Sequence, residues 1–357
     1  MSRREAEAKM RAAQETFAAE IRRIYSDAER RMLVQVTRRI ERGIDTSVPG
    51  WAERKLAEIT ALNKEIGVEL RDLRKLDPKI EAALKAAYDA GAGVAAADLV
   101  AANMTNAAIG GLVRGAAVKT LAAATIGALD GTQLRILRSA QDAYRGVISE
   151  ASAQVLTGVV TRRQAAQIAL DRFADQGVSG FVDSAGRSWD LASYTEMAVR
   201  SATGQAAVQG HIDKLAANDR DLVIVSDNPD ECEKCRPWEG QVLSVTGRTP
   251  GYPTVAEARE AGLFHPNCRH GLGIWIEGLT RPMKDTADPV GYAERQQQRH
   301  NERMIRRWKN REAVAITDQA KRRAAAKIGF WQATQRDFIA RTGRRRDYGR
   351  ESVTRAR

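Results

Sequence analysis

Residues 226–276 hold all three cysteines of this 357-residue chain, Cys232, Cys235 and Cys268, and two of its four histidines, His265 and His270. Thiolates and imidazoles are the donors that zinc gathers into a tetrahedron. Cys232 and Cys235 form a C-x-x-C knuckle that offers two sulfurs at a usable bite, and the run HPNCRH (265–270) offers the rest. Cys268 is the third ligand, and either His265 or His270 is the fourth. His265 makes an H-x-x-C pair that mirrors the C-x-x-C. His270 needs the tighter C-x-H bite and could instead serve by hydrogen-bonding to a ligand. Spacing alone therefore favours His265. The stretch between the two pairs is then 29 residues, 236–264, long enough for a hairpin and a short helix, as a structural site would have.

Other uses of the same residues compete. A redox C-x-x-C expects a strand–motif–helix context with a flanking Trp-Cys, which is absent. The thiols could be unmetallated and pack a small core. A catalytic zinc needs an open position and a nearby acid or base. Glu231, Glu233 and Glu239 are close in sequence, so a zinc-dependent hydrolase or nuclease is the alternative reading. The nucleobase-deaminase pattern of H-x-E with P-C-x-x-C fails twice: His211-Ile212-Asp213 carries Asp where Glu is needed, and Pro229 is not adjacent to Cys232. No G-x-S-x-G, H-E-x-x-H or Walker loop occurs.

The rest of the chain reads as the frame for that stretch. Aromatics are only 5% of residues and alanine is abundant, which favours closely packed helices over a bulky β core. A long amphipathic helix is expected over 3–45, with Phe17, Ile21, Ile24, Ala28, Leu33, Val36, Ile40 and Ile44 at spacings of mostly three and four. A turn at 47–50 leads to a second helix over 51–76, and Asp77-Pro78 opens a third. Residues 86–130, rich in alanine and glycine, suggest a buried hairpin broken near Gly110-Gly111, followed by a helix over 132–156. Thr161 to Gln164, Ser193 to Glu196 and Thr254 to Glu257 each read as a capping box. Two short strands are expected around a Ser-Ala-Gly turn within 181–189, one over 222–225 and one over 272–276. The expected class is thus mainly α, with long N-terminal helices, a small α+β zinc-stapled module and a basic helical C-terminus. The expected division is a helical arm over 1–160, the α+β core over 161–280, and a basic segment with its tail over 281–357.

The formal charge of +12 sits in one place: residues 294–357 carry 19 Lys/Arg against 7 Asp/Glu, and the remainder is balanced. Such a segment seeks nucleic acid, an acidic protein face or an anionic membrane, or is simply a solvated basic face. Arg306, Arg307, Lys309, Arg311, Lys321, Arg322, Arg323, Arg344, Arg345 and Arg346 are the candidate contacts to DNA phosphates, without sequence reading. Trp308, Phe330 and Trp331 could stack on exposed bases, though core packing explains them more simply. No run of 18 apolar residues exists, and the N-terminus lacks a signal-peptide core, so no membrane partner is expected and synthesis in a reducing cytoplasm is.

Three runs resemble the phage minor capsid proteins of the Mu F-like head-morphogenesis group: GRSWDLASYTEMAVRSAT (186–203), VSDNPDECEKCRPWEGQVLSVTG (225–247) and FHPNCRHGL (264–272). The basic run YAERQQQRHNERMIRRWKNREA (292–313), with AKIGFWQATQRDFIARTG (326–343), is similar to that group's C-terminal region. The resemblance implies a non-enzymatic structural component of the virion, inside the capsid or at the portal vertex. It would be made in the host cytoplasm, accompany the portal protein and a major capsid or scaffold protein, and assist DNA packaging or ejection. Members often carry cysteine where this chain has His270. A metal ligand tolerates that exchange, which keeps His270 in contention with His265.

Overall fold

The computed structural model describes residues 3–46, 49–102, 116–156, 160–178, 181–182, 188–228, 232–282 and 286–354. Eleven α-helices and five short strands are found among them. By spatial proximity the chain forms two compact units, each built from three separated stretches: Met1–Ala18, Asp77–Ile126 and Met197–Arg295 in the first, Ala19–Leu76, Gly127–Glu196 and Gln296–Arg357 in the second.

The first unit contains helix α4 (Asp77–Ala101), most of α7 (Leu191–Ala216), α8 (Val255–Glu260) and a three-stranded antiparallel sheet. In the sheet, β3 (Leu222–Val225) lies between β4 (Val242–Ser244) and β5 (Leu272–Ile274), with Val223 opposite both Leu243 and Ile274. A single small sheet must bury its apolar face against other elements. Ala95 and Leu99 of α4, Val208, Ile212 and Leu215 of α7, and Val255 and Ala258 of α8 complete it. The α4 and α7 backbones meet at glycines. A Cβ on Gly91 would lie 1.9 Å from the Ala207 carbonyl oxygen, and one on Gly210 would lie 2.0 Å from that of Tyr88. Asp98 of α4 accepts the Ile274 N–H at 3.2 Å, tying the helix to β5. Asp221, at the head of β3, accepts from Ser244 Oγ, from both the N–H and hydroxyl of Thr246, and from both of Thr249, which pins the loop after β4. Burial opposes this carboxylate's charge, but the donors outweigh it and hold its pKa well below the usual range.

The second unit holds most of helix α1 (Arg3–Glu41), α2 (Trp51–Ala57), α3 (Ile59–Arg74), the later part of α5 (Ala116–Leu156), α6 (Arg162–Gln176), and helices α10 (Asp318–Thr342) and α11 (Tyr348–Glu351). It also holds the two-residue strands β1 (Phe181–Val182) and β2 (Ser188–Trp189) and most of α9 (Pro289–Ala313). The expected helix over 51–76 is interrupted at Glu58, whose N–H turns to the Lys55 carbonyl. Glu58 is also held by salt bridges to Lys55 and Arg39. Helix α5 starts sixteen residues before the expected 132, at Ala116, and the proposed break at Gly110-Gly111 falls outside the described residues. The Thr161 and Thr254 capping boxes are both formed. The Ser193 box is not. Helix α7 begins at Leu191, Asp190 accepts the Ser193 N–H at 2.7 Å, and Glu196 turns inward to Arg350.

Glu196 belongs to a buried charge network. Arg350 donates to it at 3.0 Å, and Arg22, whose Nε lies 3.5 Å from it, donates to the Gly349 carbonyl. The expected C-terminal tail is therefore not a loose tail up to Thr354: Arg350 and Glu351 are buried, and the fold is closed over them. Nearby, Glu29 is buried against the N–H groups of Val178 and Leu191. Burial, then the charge of Asp190, push its pKa up to about 8, against the opposing pull of those N–H groups and Arg306. Between its ordinary value and about 8 the folded chain holds a proton that the unfolded chain has lost, so this group's contribution to stability falls as pH rises through that window. Urea midpoints measured from pH 5 to 8 are expected to decline less steeply for Glu29→Gln than for the parent; an unchanged slope would show that Glu29 does not set it.

Candidate metal centre

Each donor of the Cys/His cluster is placed by a turn with a recognisable cause. After β3 the chain is anchored to the start of β5 by the Ser226 N–H to the Gly271 carbonyl at 3.0 Å, and by the Gly271 N–H to Ser226 Oγ at 2.9 Å. Gly240, at φ 70°, lets the loop return so that its N–H meets the Val225 carbonyl. Cys232 and Cys235 lie on a turn closed by the Cys235 N–H to the Cys232 carbonyl at 3.0 Å. His265 and Cys268 lie on a like turn closed by the Cys268 N–H to the His265 carbonyl at 2.9 Å. Phe264 and Asn267 take positive φ around it, at 60° and 66°. Helix α7 holds this second turn: Ser201 Oγ accepts the Asn267 N–H at 3.1 Å, and Arg200 donates to the Asn267 side chain at the same distance.

The five donors form two overlapping groups, Cys232–Cys235–His265 and Cys235–Cys268–His270, each with ligand atoms within 4.8 Å of one another. Cys235 belongs to both and is 1% exposed, inside the core of the first unit. Cys232 Sγ is 2.9 Å from His265 Nε2, and Cys268 Sγ is 3.3 Å from His270 Nδ1. The Cys235 and Cys268 sulfurs are 3.7 Å apart. A tetrahedron with Zn–S bonds of ~2.3 Å has an edge of about 3.8 Å, so these two sulfurs already stand at a tetrahedral separation. Each imidazole is oriented through its other nitrogen: His265 Nδ1 meets the Pro266 carbonyl at 2.8 Å, and His270 Nε2 meets the Glu239 carboxylate. Glu239 also accepts the Asn228 N–H at 3.0 Å. Held in this way, the donors could bind a metal ion, and each histidine completes one group of three.

The electrostatics favour one thiolate at the centre. A hydrogen bond from Cys235, helped by His270, pulls the Cys268 thiol down to about 4 despite burial. The same bond and burial push Cys235 up. Burial opposes a charged His270, but its bonds to Cys268 and Glu239 outweigh this and raise its pKa. Glu239 was visible in the sequence only as one of three neighbouring acids. No spacing rule marks it as the partner of His270, 31 residues on in the chain.

The ten basic candidates fare unequally. Arg306 is 6% exposed and donates to Asp190, Ser193 and the Arg350 carbonyl. Arg307 and Arg311 both grip Asp175. Arg346 forks onto Glu351, Lys309 donates to the Glu351 carbonyl, and Arg344 to Gln298. Lys321, Arg322, Arg323 and Arg345 remain exposed. Trp308 is buried and Trp331 packs edge-on against His300 and Phe330, while Phe330 is itself 55% exposed.

The architecture is therefore a mainly helical protein whose small antiparallel sheet carries a partly buried Cys/His cluster that could hold a metal. The sequence matches the family described as phage minor capsid protein 2 over residues 13–340, and the chain belongs to that family. It is 27% identical over 232 residues to a "structural protein" of Lactococcus phage LL-H, an alignment covering 59% of this chain and 61% of that relative's length. No solved structure is matched. Among the described residues, no helix is long and apolar enough to cross a membrane.

Proposed function

We propose that this protein is a minor structural component of a tailed-phage head, bound near the portal vertex, where it assists head assembly and DNA packaging or ejection. The observation that carries this reading is the family match over 13–340. The relative described as a structural protein supports a place in the virion. The head-morphogenesis resemblance of 186–203, 225–247 and 264–272 supports the portal vertex and contacts with the portal and with a major capsid or scaffold protein. Within this reading the Cys/His cluster is a zinc staple. Cys232, Cys235 and Cys268 would hold the ion with His265 or His270, and the ion would cross-link the two loops that meet at the end of the sheet where β3 runs out and β5 begins.

The direct test is co-expression with the portal protein of the same phage, followed by affinity capture and mass spectrometry of purified heads. Capture of the portal and a few copies per head are expected. A chain that ignores portal and is absent from heads would sink the proposal. A nuclease or hydrolase activity that disappears with the metal would sink the purely structural role. For the staple itself, Glu239→Gln is expected to weaken zinc binding about 10- to 100-fold, read by chelator competition, because a held imidazole is a better ligand. Unchanged affinity would leave His265 as the histidine ligand.

A further inference from the structure

Helix α10 is 25 residues long, yet only Ala324, Gln335 and Phe338 of it are buried. Its outer surface is strongly basic. Lys321, Arg322, Arg323, Lys327, Arg336 and Arg341 are exposed, against the exposed acids Asp318 and Asp337. Arg323, Lys327, Phe330 and Arg341 recur at offsets of four, three and eleven residues, so they fall along one stripe of the cylinder. Arg322 lies about 100° round the helix from Arg323, toward solvent, and Lys321 about 160° round from it, beyond the buried line of Ala324, Gln335 and Phe338, so neither belongs to the stripe. At 1.5 Å per residue the stripe runs about 27 Å, on the order of the turn length of a nucleic-acid duplex. Most of the other basic side chains of this segment are engaged by the protein's own carboxylates and carbonyls, as described above. Arg322, Arg323 and Lys327 have no carboxylate partner among the described residues. Lys321 has only Asp318, at 3.8 Å on the open surface, where an ion pair holds weakly.

We infer that this stripe of α10 is a sequence-independent docking surface for the phosphate backbone of duplex DNA. The inference rests on the virion reading, which supplies packaged DNA as the polyanion. Charge complementarity selects the occupant. The stripe offers lysine, arginine and alanine with one exposed large apolar residue, Phe330. A stable protein partner needs an apolar centre with few lysines, which this surface lacks. A repetitive polyanion needs only cations at intervals, and gains affinity by releasing its counterions. Lys327 lies 5.4 Å from the Phe330 ring centroid, which steadies its position on the face.

The test is fluorescence anisotropy of a short labelled duplex of mixed sequence, titrated with the full chain over a series of salt concentrations. It is repeated with Arg323→Ala, Lys327→Ala and Arg341→Ala combined. All three side chains are exposed on a helix that alanine suits, and circular dichroism checks that the fold is kept. Binding is expected to weaken at least about tenfold in ~0.1 M salt, with the salt slope smaller by about two to three. Equal affinity and slope in the variant would overturn the inference. So would a polyglutamate peptide that binds the parent as tightly as the duplex does, which would make the stripe a seat for an acidic protein. Portal capture by the same variant separates the two proposals: it is expected to persist, and failure of the parent to capture portal would count against the virion role while leaving the duplex measurement to stand.

Discussion

Gly210→Ala and Gly91→Ala are each expected to cost at least about 3 kcal/mol of folding stability, the upper part of the range for overpacking. The reason is what the added methyl meets. At both positions it would lie about 2 Å from a backbone carbonyl oxygen of the facing helix, Tyr88 for Gly210 and Ala207 for Gly91. A side chain could swing aside; a helix backbone cannot, so α4 and α7 would have to separate along the seam that closes the sheet core. The same two helices supply controls. Gly93 and Gly204 have nothing within 4 Å of an added Cβ. Alanine there should stabilise by about 0.5–1 kcal/mol, because glycine is the poorer helix former. Urea denaturation of the four variants should thus split into two large losses and two small gains. Four small gains would mean that the helices are not in backbone contact.

The second large effect is expected at Cys235. It is the donor shared by both groups, so Cys235→Ser should abolish stoichiometric zinc, whereas loss of Cys232 or Cys268 leaves one complete group of three. Because a structural metal contributes its binding free energy to folding, the loss should exceed about 3 kcal/mol. Cys235→Ala keeps the site apolar and separates the lost ligand from the cost of burying a hydroxyl among Val225, Leu243 and Phe264. Elemental analysis gives the metal content. Denaturation with and without chelator gives its energetic weight: the parent should weaken in chelator and the variant should not respond. A variant that keeps its metal, or a parent indifferent to chelator, would refute the staple.

Local chemistry made much of this protein readable. Thr161 and Thr254 each carry both halves of a capping box within four residues, and both boxes form. The strand over 222–225 is a run of four apolar residues and is central in the sheet. The cysteines and histidines stood out by rarity. What escaped was long-range. Ser193 satisfies the capping pattern as well as Thr161 does, but Asp190 is a competing acceptor three residues earlier, and Glu196 gains a guanidinium from Arg350, far along the chain. Glycines 91 and 210 look like any others in an alanine-rich stretch; only their facing carbonyls make them special. The charge count located the basic segment correctly but could not tell Arg306, buried against Asp190, from Arg322, which is exposed.

The interleaving of the two units bears on how the chain is made. A ribosome delivers the N-terminus first, and domains that are continuous in sequence can fold as they emerge. Here the first unit lacks its last stretch until Arg295 has been added, and the second until Arg357. Arg22 emerges early, but its partners Glu196 and Gly349 come near the middle and the end. At ~10 residues per second, roughly half a minute separates Arg22 from Gly349 during translation. Through that interval the apolar stripe of α1, from Ile21 to Ile40, has only the part of its unit made with it, α2 and α3, and not the later stretches. Nascent chains should therefore depend on holdase chaperones, and C-terminally truncated products should be cleared by proteolysis instead of accumulating as folded fragments.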